Sequence, residues 1–196
     1  MAREDKGTVD YFTPIVEVAA GLFARKGYRG TSMRDIGRGM GIHAGSLYAH
    51  IETKEDLLEA VVHRIMEQSE KDMQAALAMG GTAREQLHEV AIRDVALIAG
   101  NREYATVFFH EWRNLSPERQ VKVVRSRDRW EAGLREIIDR GVREGEFRPV
   151  DPRLASIAFA SMLNWVYVWY APEGDLSTDQ LADQYVELLV DGLGAR

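Results

Sequence analysis

Four short stretches of this chain share one pattern. Ser32 to Asp35, Thr53 to Asp56, Thr82 to Glu85 and Ser177 to Gln180 each set a hydroxyl three residues ahead of a side chain that can reach back. This is the capping box, in which two side chains satisfy orphan N–H groups at a helix start. Ser116-Pro117 and Asp151-Pro152 are start signals of a second kind, a cap followed by proline at the first helical position. Glycines at 27, 41, 80–81, 100, 145 and 192 supply stops. Between these marks the apolar residues recur at helical spacing, as in Ile15, Val18, Ala19, Leu22 and Phe23, or Leu57, Leu58, Val61, Val62 and Ile65. The punctuation predicts about nine helices: from Ile15 to Gly27, Ser32 to Gly41, His43 to Ala49, Thr53 to Gly80, Thr82 to Gly100, Asn101 to Trp112, Ser116 to Gly145, Asp151 to Pro172, and Ser177 to about Gly192. No run alternates with period two for long enough to need a sheet, so the fold class is all-α.

A chain of 196 residues has ample length for a buried core. The helix pattern divides it into a helix-turn-helix domain over residues 8–55 and a larger helical domain over 56–196, with the boundary inside the helix that begins at Thr53. Cysteine is absent, which removes disulfides, thiol nucleophiles and cysteine-ligated metals and fits a reducing cytoplasm. The opening residues lack a signal-peptide core and no stretch reaches the length of a membrane span, so the expected location is cytoplasmic, with no membrane partner. Of 25 Lys/Arg and 31 Asp/Glu, residues 1–65 hold nine of each, so the whole net charge of −6 lies beyond them. The first part is neutral, and a claim that it meets nucleic acid must rest on pattern rather than bulk charge.

That pattern lies in GIHAGSLYAHIETK, Gly41 to Lys54. Two short helices joined at Gly41 make a helix-turn-helix, whose second helix enters the major groove. Glycine costs roughly 1 kcal/mol against alanine in a helix interior, but Ala44 and Gly45 keep this helix slim enough for close backbone approach. Ser46 can reach a base or backbone oxygen, and Tyr48, His50 and Lys54 can grip flanking phosphates. Phosphate contacts set position and base contacts set specificity; both are available here. Leu47 belongs to the core.

The stretch from Ile15 to Val61, with its LF…GY..TS, DI, GI…SLY.H and K.DLL elements, resembles the DNA-binding domain of the TetR family of repressors. The resemblance implies DNA contacts from Thr31 and Ser32 at the start of the second helix, and from His43, Ala44, Gly45, Ser46, Tyr48, His50 and Lys54. Against that family pattern, Gly37 replaces a usual alanine, which is expected to loosen the second helix. His43 and Ala44 stand where serine and lysine are common, and Ile51 replaces phenylalanine.

The second part holds all four tryptophans. Phe108, Phe109 and Trp112 on one helix, Trp130 on the next, and Trp165 with Trp169 on a third are candidates to line a pocket for a small organic ligand. Arg127 falls between Val123 and Trp130 on the inward stripe of its helix. A buried guanidinium needs an anion, either Glu103 or Glu111 from within or a ligand carboxylate or phosphate. Asn164 is a second polar candidate. The helix containing FASMLNWVYVWYAPEG is apolar around most of its circumference and must bury every side. It and the final helix, with Leu181, Tyr185, Leu188, Leu189 and Leu193, suit a four-helix interface in a symmetric homodimer. Two recognition helices then meet a roughly palindromic operator. The segments GVREGEFRPVDP and NWVYVWYAPEG.LS are similar to the branch of the family that represses fatty-acid and steroid breakdown, which implies an acyl-coenzyme A thioester or related hydrophobic acid as effector. The expected function is a ligand-released repressor without a cofactor, in which effector moves the helix from Thr53.

Two rivals stand beside this reading. A helical-bundle di-iron enzyme needs two Glu-x-x-His motifs, and only Glu85 to His88 is present; HEWRN at His110 lacks the second histidine of a zinc-protease motif. A protein-binding adaptor would use the face of Tyr48 and Lys54 without touching DNA.

Overall fold

A computed structural model describes residues 12–192, and the described residues are helical with no strand. Helices α1 (Phe12–Lys26), α2 (Met33–Gly39), α3 (Ala44–Leu47) and the start of α4 (Lys54–Ala78) form the N-terminal unit. There follow α5 (Ala83–Gly100), α6 (Arg102–His110), a 3-10 turn (Trp112–Asn114), α7 (Pro117–Arg143), α8 (Pro152–Asn164), α9 (Val166–Trp169) and α10 (Thr178–Val190). All four boxes form as expected, opening α2, α4, α5 and α10, with both reciprocal bonds present in each.

The helix expected to run unbroken to Pro172 is interrupted at Trp165, which ends α8 and precedes the short α9. Counted as one, they restore the nine. The expected third helix is shorter than its pattern: α3 stops at Leu47, and Tyr48 to His50 continue as turns. Leu193 and residues 8–11 lie outside the described residues.

Two apolar cores result. One joins α5, α7, α8, α9 and α10 around Leu87, Leu134, Ile137, Phe159 and Leu163. The other joins α1 to α4 around Ile15, Phe23, Ile36, Leu47 and Leu58, and extends to Tyr104, Val107 and Phe108 of α6, Trp112, Leu115 and Val123. The N-terminal unit therefore buries its apolar surface partly against the second half of the chain. Phe109 packs against both cores.

Candidate nucleic-acid interface and ligand cavity

The α2–α3 turn is held by three backbone features. Gly41 has φ +70, a conformation that L side chains rarely adopt. Its N–H donates to the Arg38 carbonyl, and the Ile42 N–H donates to the Gly37 carbonyl at 2.9 Å. A Cβ on Gly37 would lie 2.9 Å from the Ile42 oxygen and 3.1 Å from the Ala44 nitrogen. Gly37 thus lets α3 sit directly against α2, a close join that a side chain there would obstruct.

Leu47 is fully buried and anchors α3 to the core. Around it His43, Gly45, Ser46, Tyr48 and His50 are exposed and Ala44 half-buried, with Tyr48 55% exposed despite its ring. Nothing stands within 4 Å of a Cβ built on Gly45. This slim, polar-tipped surface is open to a partner along its outer side.

Three of the residues expected to contact DNA are engaged within the protein. Thr31 is 2% exposed, and its hydroxyl donates to the Gly27 carbonyl at 2.9 Å. Lys54 donates from Nζ to the carbonyls of Tyr28 (2.9 Å) and Thr31 (2.7 Å) and lies over the Tyr28 ring. Burial lowers its pKa. Both residues brace the α1–α2 loop, a role that sequence spacing does not reveal because the loop is remote from Lys54 in the chain. Ser32 is exposed, but its hydroxyl serves the capping box with Asp35.

Polar bonds tie this unit to the rest of the molecule. Arg119 of α7 donates to Asp56 at 2.6 Å and lies 3.2 Å from Glu59 and 3.6 Å from Glu55, all at the start of α4. The Ser116 N–H donates to Glu55 at 2.8 Å. Arg25 of α1 meets Glu103 of α6 at 2.7 Å, and Arg29 donates to Asn114.

A cavity of about 110 Å³ opens between α4, α5, α6, α7 and α8, lined by Met66, Asp94, Phe108, Phe109, Trp130 and Ala160 among others. Arg127 and Asn164 line it too. Of the residues expected at a pocket, Trp112, Trp165 and Trp169 do not. Trp112 is buried in the core shared with the N-terminal unit, whereas Trp165 and Trp169 are exposed on the outer face of the α8–α9 break.

Arg127 also departs from its expected place. Ser126 takes the buried position on α7, and Arg127 is exposed at the cavity's edge. Neither internal acid serves it: Glu103 meets Arg25, and Glu111 accepts from Asn114. Its guanidinium lies 5.8 Å from the Trp112 ring, and partial burial together with the nearby Arg113 lowers its pKa.

Asp94 was not among the sequence candidates. It is buried, its Oδ2 has no hydrogen-bond partner, and burial reinforced by Asp72 pushes its pKa up to about 7. The signal was present: Leu87, Val90, Ala91, Asp94, Val95 and Ile98 form one helical stripe, so the acid occupies an inward position.

A slim helix-turn-helix presented by a helical body is the architecture of a DNA-binding transcriptional regulator. Residues 15–61 match the family described as bacterial regulatory proteins, tetR family, and residues 80–193 match the tetracyclin repressor-like C-terminal domain. The chain belongs to the TetR family. It is 30% identical to the HTH-type transcriptional repressor KstR2 of Mycolicibacterium smegmatis, over 91% of this chain and 88% of that protein. Among solved structures, the TetR family regulator PfmR from Thermus thermophilus has a TM-score of 0.86 at 33% identity, covering 92% of this chain and 99% of that one. AibR in complex with isovaleryl coenzyme A and operator DNA has a TM-score of 0.81 at 28% identity, covering 91% and 97%.

Proposed function

We infer that this regulator binds a palindromic operator as a homodimer and leaves it when a short acyl-coenzyme A thioester enters the cavity. The observation that carries the reading is that α4 and α6 contribute at once to the N-terminal core and to the cavity wall, so a ligand cannot enlarge the cavity without acting on elements that seat α3. The complex of AibR with a thioester and operator supports the effector class.

The DNA-binding unit spans residues 8–55 and the effector and dimerisation unit 56–196. His43, Ala44, Gly45 and Ser46 face base edges, and Tyr48 and His50 meet phosphates; Thr31, Ser32 and Lys54 hold the frame. Phe108, Phe109, Trp130 and Asn164 surround the acyl group, and Arg127 meets the thioester end. Leu154, Ile157, Trp165, Val168, Trp169 and Leu188 leave a broad apolar face on α8 to α10 exposed. A face of this kind suits a second copy of the chain. Selection of bound sequences from random duplexes tests the reading. Inverted repeats centred one or more helical turns apart are the expected product, and single unrepeated sites would contradict the dimer.

A further inference from the structure

Asp94 and Arg127 both line the cavity, carry opposite signs and do not meet. Asp94 is 6% exposed with Oδ2 unpartnered, and no ion pair joins it to Arg127 among the described residues. Tyr104 Oη, Trp112 Nε1 and Arg119 Nη1 are also buried without a partner among the described residues, but of these four groups Asp94 alone lines the cavity. Elsewhere Gln86 donates to the Leu77 carbonyl and accepts from Arg140, and Ser156 donates to the Arg153 carbonyl. The cation nearest in sequence, Arg93, is taken by Glu89 and Asp72. A buried acceptor left unmade is costly, and a purely hydrocarbon occupant of the cavity would leave this one unsatisfied.

We propose that Asp94 is a specificity-determining residue that selects effectors whose acyl group carries a hydroxyl or oxo oxygen, hydrogen-bonded to its carboxyl while the thioester points to Arg127. This rests on the acyl-thioester reading above. The direction follows from burial: Asp94 lies inside, Arg127 at the edge. The volume suits a short chain, being far below the roughly 300–1,000 Å³ of pockets that enclose drug-sized ligands. With its pKa raised to about 7, the carboxyl exists in both forms near neutrality. It can donate to a ketone when protonated or accept from a hydroxyl when ionised. Sites built to hydrogen-bond an oxygen discriminate strongly against analogues that lack it.

The test titrates the full-length protein, followed by tryptophan fluorescence and calorimetry, with butyryl-CoA, 3-hydroxybutyryl-CoA and acetoacetyl-CoA, and with hexanoyl-CoA against its 3-hydroxy and 6-hydroxy forms. At least one oxygenated member should bind wild type about tenfold or more tighter than its plain counterpart. Asp94→Leu should bring the pair within about twofold without lowering the melting temperature, and Asp94→Asn should retain a preference for the hydroxyl. Equal binding of plain and oxygenated forms by wild type, or an undiminished preference in Asp94→Leu, overturns the assignment and leaves the thioester reading intact. Binding of no member of the panel sinks both.

Discussion

At the scale of single residues, the decisive positions are those where chemistry and burial conflict. Asp94 holds a carboxyl in apolar surroundings with Asp72 nearby, and its folded-state pKa of about 7 stands above its ordinary value of 3.8. Between these two values the folded protein binds more protons than the unfolded chain. Stability should therefore fall as pH rises from about 4 to about 7 and stay level above that. Asp94→Asn should remove this component, a difference on the order of 4 kcal/mol at pH 8 if the carboxyl is the sole contributor. Arg127 and Glu131 line the same cavity, and Arg93, paired with Glu89, adjoins Asp72, so the measurement compares urea unfolding of variant and wild type across the whole range. A parallel pair of pH profiles would refute the proton-linked role. Gly37 shows the opposite situation, an absence of side chain that permits the close α2–α3 join.

At the scale of elements, helix ends were legible because capping is local. Ser32, Thr53, Thr82 and Ser177 carry their instructions within four residues, and each box formed as expected. The break at Trp165 was not legible, because no glycine or proline marks it and the cause is tertiary: Tyr167 turns inward to stack on Phe109, and its hydroxyl meets His110 at 2.7 Å. The cavity was half legible. Aromatic and polar candidates on α6, α7 and α8 do line it, but the spacing from Val123 to Trp130 places Arg127 inward where the structure buries Ser126. The clasp of Arg119 with Glu55, Asp56 and Glu59 was invisible, since nothing in the sequence brings residues some sixty apart together. It gives α7, which lines the cavity, a polar grip on the start of α4. Arg119→Met should leave effector binding within about twofold and reduce the effector's influence on operator affinity by several-fold, roughly 1 kcal/mol of coupling. Unchanged coupling, read by operator titrations with and without a thioester shown to bind, would place the transmission elsewhere.

At the scale of the whole molecule, two cores share α6 and its neighbours, and the outer face of α8 to α10 is left apolar. Trp165 is 58% exposed there, an unusual place for a tryptophan without a partner surface. Trp165→Glu combined with Val168→Asp should convert the protein to a monomer in light scattering, with helical content retained and operator affinity lowered at least about tenfold. A doubly charged variant that stays dimeric would move the interface off this face.

Operator affinity, measured at fixed salt with and without a saturating short acyl-coenzyme A thioester, bears most directly on the central claim. A cavity sharing its walls with the seat of α3 predicts about a hundredfold loss, near 2.7 kcal/mol of coupling. A dissociation constant that does not move, under conditions where the thioester is shown to be bound, would contradict it.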